Sequence, residues 1–176
     1  NRKFVFKKFN GYSFNKIISK DNNLFISQSC LEHVKNDLSF FREIKKKANQ
    51  TNKKIILMHC VPNSFCLFTY LTHGFRQYNI ENLNKIGEIL GNKKLFVVKL
   101  GNFSLNVEHL KKTTFPLILK KENLMPKQNK NYYLKINKLL IKNKKSSYFF
   151  SSFAVIIGFL NFNETEQQKV IKKIFS

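Results

Sequence analysis

Residues 80–100 read IENLNKIGEILGNKKLFVVKL, and a change of period inside this stretch decides the fold. Ile80, Leu83, Ile86, Ile89 and Leu90 recur at three- and four-residue steps, the spacing of one helix face. Gly91-Asn92 then supplies a C-cap, because glycine takes the backbone conformation beyond a last turn without a Cβ penalty. Leu95 to Leu100 follows with Phe-Val-Val at its centre, a short β-rich run that predicts a buried strand. A helix handed on to a strand in this way is the unit of a layered domain.

The same alternation extends to both sides. Upstream, Leu31, Val34, Leu38, Phe41 and Ile44 predict an amphipathic helix from Cys30 to Lys47, its C-terminal end carrying Lys45, Lys46 and Lys47 at the negative pole of the dipole. Asn49 to Lys54 reads as a polar break. Two apolar runs follow, Ile55 to Cys60 and Phe65 to Leu71, parted by the Pro62-Asn63 turn signal, and either or both read as strands.

Downstream, a brief helix passes through Val107 and Leu110. Phe115-Pro116-Leu117-Ile118-Leu119 reads as a strand with its proline at the start, where a missing donor is tolerated. Met125 to Asn131 reads as a loop, and Tyr133, Ile136, Leu139 and Leu140 as a further helix. Lys142 to Lys145 is basic and turn-like, and Tyr148 to Leu160 is a long strand or a hairpin about Gly158. Asn163 is placed to cap a closing helix from Glu164 to Phe175, with Glu164 and Glu166 in its first turn and Val170, Ile171 and Ile174 inward. The expected fold is therefore α/β, layered in the α+β sense, with a small mixed sheet flanked by helices. Residues 1–23 read as a separate N-terminal arm and 24–176 as one domain.

Charge narrows the partner. Lysine and arginine outnumber aspartate and glutamate 32 to 10, a formal +22 on 176 residues, while 43% of the chain is apolar and 19 residues are phenylalanine. Self-repulsion of this size opposes compaction, and phosphate is the commonest neutralising partner in a cell. The surplus is nearly all lysine, with only Arg2, Arg42 and Arg76, and it travels with asparagine, phenylalanine and isoleucine. These are residues of A+T-rich codons, so the bias is also a genomic fingerprint of the kind organelles carry. In the arm, Arg2, Lys3, Lys7 and Lys8 interleave with Phe4, Phe6 and Phe9. Such a segment can lay cations on phosphate and rings on bases, or stand as an edge strand with one solvated face.

Little else carries chemistry. Cys30, Cys60 and Cys66 sit at no disulfide-framework spacing, which predicts free thiols in a reducing compartment. His59 beside Cys60 lacks both a C-x-x-C pair and a second histidine in range, so no metal is expected. His33 and His109 read as single residues on polar helix faces. No glycine-rich phosphate loop and no G-x-S-x-G elbow is present, and no cofactor and no enzymatic activity are expected. A nuclease alternative would require Glu81, Glu88 and Glu108 to converge with Asp37. No apolar run reaches the ~20 residues of a membrane helix, so no membrane insertion is expected, and nothing at the start resembles a cleavable signal.

From about Leu38 to Phe175 the chain resembles the large-subunit ribosomal protein ten family, the stalk-base protein related to eukaryotic P-zero. Phe65 to Gly74 supplies that family's strand ending in glycine, with Ile55 to Cys60 the alternative for that strand. Ile80, Leu83 and Ile86 match its amphipathic helix, and Phe96-Val97-Val98-Lys99 the strand after it, with Leu100 where relatives carry asparagine. Val107 to Lys112 and Phe115 to Leu119 fit the next helix and strand, with phenylalanine for the family's glycine. Phe153-Ala154-Val155-Ile156-Ile157-Gly158-Phe159-Leu160, then Glu166, Val170, Ile171 and Ile174, resembles the final strand, glycine and acid-led closing helix.

The resemblance implies a structural, RNA-binding constituent of an organellar large ribosomal subunit in the mitochondrial matrix, with a plastid-type organelle as the alternative. It implies contact with large-subunit rRNA at the stalk base near the factor-binding site, beside large-subunit protein eleven, and a chain that is not a free monomer. The family's long C-terminal stalk-recruiting helix has no counterpart before Ser176, so the mobile stalk proteins seven and twelve would be reached through another chain. The expected RNA-binding residues are Arg2, Lys3, Lys7, Lys8, Arg42, Lys45, Lys46 and Lys47, followed by Lys53 and Lys54. Composition alone leaves open a protein-protein scaffold of a large assembly, its charge a product of codon drift.

Overall fold

The computed structural model describes residues 14, 18, 19, 21–64, 76–120, 130–141 and 151–175. Among the described residues four strands form one mixed sheet: β1 (Leu24–Gln28), β2 (Ile55–Pro62), β3 (Leu95–Leu100) and β4 (Phe153–Leu160). Their order across the sheet is β1-β2-β4-β3. β1 and β2 are parallel, and β4 runs antiparallel to both of its neighbours. The α+β class expected from the alternation is the class observed.

The helices are α1 (Asp37–Thr51), α2 (Ile80–Leu90), α3 (Phe103–His109), α4 (Phe115–Lys120), α5 (Lys130–Ile141) and α6 (Glu164–Phe175). Between β1 and β2 the chain passes through α1, and between β2 and β3 through α2. Both connections step in the same direction across the sheet, so a single crossover hand puts both helices on one face. They do share a face. The apolar side of α1, Phe40, Phe41, Ile44 and Ala48, and that of α2, Leu83, Ile86 and Leu90, belong to one buried cluster with Ile55, Leu57 and Val61 of β2 and Ala154, Ile156 and Leu160 of β4. Burying each of the larger side chains stabilises the fold by roughly 2 kcal/mol. Phe14 and Ile18, from the stretch read as an arm, lie in the same cluster, with Phe14 edge-on to Phe40 at 5.0 Å between ring centroids.

The opposite face holds a smaller group. Phe159 and Ile157 are fully buried there, and Phe159 meets Phe96 at 5.7 Å and Phe162 at 5.5 Å beneath the start of α6. Gly158 pairs with Leu57 on one side and Leu95 on the other. A Cβ at Gly158 would stand 2.9 Å from Leu90 Cδ1, so glycine here lets α2 close on the sheet.

Several expectations are corrected. The helix read from Cys30 is a 3-10 turn, Leu31–His33, followed by extended Val34 and then α1 from Asp37. Leu31 and Val34 keep their inward spacing, but the chain straightens between them and the helix. α1 also persists through Asn49 and Gln50 to Thr51, where Asn52 ends it in the left-handed conformation at φ 49°. Phe115 to Leu119 is helical: α3, a π-helical turn at Leu110–Thr114 and α4 run on without a break. The wider π turn lies directly before Pro116, where an α-helix would otherwise require the missing N–H and the ring would press on a preceding carbonyl. Within the stretch Tyr148 to Leu160, Phe153 to Leu160 is one strand with no hairpin at Gly158, and Tyr148 to Phe150 lie outside the described residues. β1 went unread in the sequence. Ile55 to Pro62 is a strand, whereas Phe65 to Leu71, His73, Gly74 and Lys142 to Lys145 lie outside the described residues.

Candidate nucleic-acid interface

Burying Phe40, Phe41, Ile44 and Ala48 turns the opposite side of α1 to solvent. Arg42 and Lys46 are exposed one turn apart on that side, and Lys45 and Lys47 are half-buried beside them. Exposed Asn49 and Gln50 continue the ridge towards Lys53 and Lys54 in the turn into β2. Arg42, Lys45, Lys46 and Lys47 pair with no carboxylate among the described residues. The basic run that the sequence marked on this helix is thus exposed at Arg42 and Lys46, half-buried at Lys45 and Lys47, and without an ion pair among the described residues.

Most described acids pair with bases elsewhere, while Glu43, half-buried on α1 itself, pairs with none of the four. Glu81 pairs with Lys85 at 2.6 Å, Glu108 with Lys135 at 2.5 Å and Glu164 with Lys93 at 3.3 Å. Lys53 is held by Asp21 at 3.2 Å, and Lys54 by Glu166 at 2.5 Å while it lies 5.8 Å from the Phe162 ring centroid. Lys53 and Lys54 therefore differ from the four α1 residues. Both are tethered, and a phosphate would have to compete with a carboxylate for each. Lys54 holds the Glu166 carboxyl below the usual carboxylate range, helped by the Asn163 backbone N–H and by the charge of Lys169. Glu166 thus lies between Lys54 and Lys169, joining the basic end of α1 to a second row on α6, exposed Lys169, Lys172 and Lys173. That second row was not singled out in the sequence. Its signal, lysines set between Val170, Ile171 and Ile174, is the ordinary pattern of any surface helix.

α1 is fixed at its start by a buried polar knot. Asp37 is fully buried, and its Oδ1 accepts from the Leu38 backbone N–H at 2.9 Å and from the Arg76 guanidinium at 3.1 Å. Its Oδ2 accepts from the Tyr78 hydroxyl. Burial, and then the neighbouring Asp37 charge, push the Tyr78 hydroxyl above its ordinary range, so Tyr78 acts as a donor at any physiological pH. At the other end, Asn161, with φ 59°, donates from Nδ2 to the carbonyls of Ala48 and Lys53, both at 2.9 Å. The helix that carries the basic row is anchored at both ends.

The remaining sequence candidates fall elsewhere. Arg2, Lys3, Lys7 and Lys8 lie outside the described residues, as does Cys66. His59 is buried, its Nδ1 2.8 Å from Ser27 Oγ and its ring edge-on to Phe40 and Phe41, and burial lowers its pKa to about 4. Burial, then the Glu32 charge, raise the Cys30 and Cys60 thiols. Among the described residues no three His, Cys, Asp or Glu side chains converge as a metal site, and no helix is long and apolar enough to cross a membrane. His33 stands on the 3-10 turn, and His109 is half-buried on α3 rather than on a polar face. Of the acids a nuclease would gather, Asp37 is held by Tyr78 and Arg76, Glu81 by Lys85 and Glu108 by Lys135. A cleft of about 640 Å³ opens between the 92–94 turn and α6, lined by Asn92, Phe96, Gln167 and Gln168 and by the paired Lys93 and Glu164.

No protein-family model matches the chain, and no curated protein or solved structure is similar to it.

Proposed function

We propose that this chain is an RNA-binding structural protein of an organellar, mitochondrial large ribosomal subunit, seated on rRNA at the stalk base near large-subunit protein eleven. The observation that carries the reading is the group Arg42, Lys45, Lys46 and Lys47, exposed or half-buried, in no ion pair among the described residues, and presented on a helix anchored at both ends. A formal +22 supports it, because phosphate contacts release condensed counterions and relieve the self-repulsion of the folded body. The arm residues Arg2, Lys3, Lys7 and Lys8 join this surface in the proposal, and Lys53 and Lys54 enter it by exchanging carboxylate for phosphate. Binding and placement need no catalytic group.

The family assignment rests on element order, and one of its matching segments has changed character. Phe115 to Leu119 was matched to a strand and is helical. The element pair from Ile80 to Leu100 and the closing strand and helix from Phe153 to Phe175 keep the expected order.

The test is affinity for a stalk-base rRNA fragment as a function of salt. Each lost phosphate contact removes about 0.7–0.9 from the slope of log K against log salt, so replacing Arg42, Lys45, Lys46 and Lys47 together by glutamine flattens it by about 3. An unchanged slope sinks the role given to α1, and imaging of organellar large subunits that places the chain away from rRNA sinks the whole reading.

A further inference from the structure

We propose that the outer edge of β1 is a docking site for one extended strand of a partner polypeptide, which would enlarge the sheet by a fifth strand. The backbone sets the case. The Asn23 carbonyl accepts from Ile56 N–H at 2.9 Å, and Ser29 N–H donates to the Cys60 carbonyl at 3.0 Å. With the parallel register Leu24 to Ile56 through Gln28 to Cys60, these bonds direct the amide groups of Phe25 and Ser27 towards β2. Those of Leu24, Ile26 and Gln28 then point the other way, off the end of the sheet, where no described residue pairs with them.

The side chains agree. Leu24 is 50% and Ile26 65% exposed on the same face of the strand. Proteins guard open edges with charge, proline or a bulge. β3, at the far edge, carries Lys99 within its length, whereas the five residues of β1, LFISQ, contain no charge and no proline. Donors and acceptors repeating every second residue are matched by another extended backbone, and the apolar pair selects alternating apolar side chains. A second copy of this chain is the disfavoured occupant, since it would bring two formal charges of +22 together; an acidic strand is complementary to the same surplus. This inference stands apart from the RNA-binding reading and uses none of its residues.

The experiment is amide hydrogen exchange on the full chain, alone and with a synthetic peptide of alternating valine and glutamate. Leu24, Ile26 and Gln28 should exchange fast in the free chain and slow by about 100-fold when the peptide is in roughly 100-fold excess over its Kd, while Phe25 and Ser27 are protected throughout. A peptide N-methylated at every residue, which leaves neither of its edges an N–H to donate, should give no protection, which separates backbone pairing from attraction of acid to a basic surface. Ile26→Pro should abolish the effect without disturbing the ladder to β2, because the N–H it removes points outward. Ile26→Lys is the second variant, with Phe25 and Ser27 protection reporting that the sheet is intact. Any of four results overturns the proposal: equal binding of the N-methylated peptide, outer amides already slow in the isolated monomer, a concentration-dependent dimer that protects them, or protection by an rRNA fragment with none by the peptide.

Discussion

His59 shows how one residue can be legible as unimportant and still matter. The sequence placed it in an apolar run without metal partners, and the structure sets it in the sheet against Phe40 and Phe41. A proton added there would have to be buried, so burial lowers its pKa to about 4, against 6.5 when exposed. The folded state therefore binds this proton less well than the unfolded state. The contribution to stability is full above about pH 6.5 and is lost as pH falls towards 4, to the extent of about 3 kcal/mol. Denaturant midpoints measured from pH 7 to pH 4 should fall for the native chain and fall less for His59→Gln; parallel curves would show that other groups govern the loss. Tyr78 makes a second case. Tyr78→Phe leaves Asp37 Oδ2 buried without its donor and should cost about 2 kcal/mol in the same denaturation experiment. Neither Tyr78 nor Arg76 could be linked to Asp37 from the sequence, because the knot forms between residues some forty positions apart that share no periodicity.

At the scale of elements, long periodic segments were readable and short or interrupted ones were not. α2, its glycine terminus and β3 stand where Ile80 to Leu100 put them, with Gly91 at φ 102° and its N–H bonded to the Gly87 carbonyl at 2.7 Å. β1 was missed because five residues between an asparagine turn and a supposed helix start gave no period long enough to count. Phe115 to Leu119 was misread because aromatic and aliphatic residues around a proline resemble a strand start, and a π turn that lets a helix run up to Pro116 leaves no simple sequence signal. The cap of α6 was legible. Asn163 Oδ1 accepts from Glu166 N–H at 2.9 Å, and Glu166 Oε2 accepts from Asn163 N–H at 3.2 Å, a reciprocal box. Asn163→Ala should lower stability by about 1 kcal/mol, read as a shift in thermal midpoint. A neutral result would mean that packing of Phe162 and Gln167 alone sets this helix start.

For the whole molecule, net charge gives salt two opposite effects. Screening relieves repulsion within the folded body, so the thermal midpoint of the isolated chain should rise from low to moderate sodium chloride. The same salt restores counterions to RNA, so affinity should drop across that range. Opposite signs in one titration series test the electrostatic account; a midpoint that falls with salt would refute it. The basic surplus was evident in composition, yet which lysines are tethered and which are free was not, since that depends on which acids come near them in space.

The order of strands also governs when this protein can take shape. β4 lies between β2 and β3, yet among the described strands it is the last in chain order. Until Phe153 to Leu160 has emerged, the earlier strands have no middle to join, and the sheet stays unfinished with raw margins. The sheet therefore closes only once these residues are made, and until then its apolar strands are open to wrong pairing.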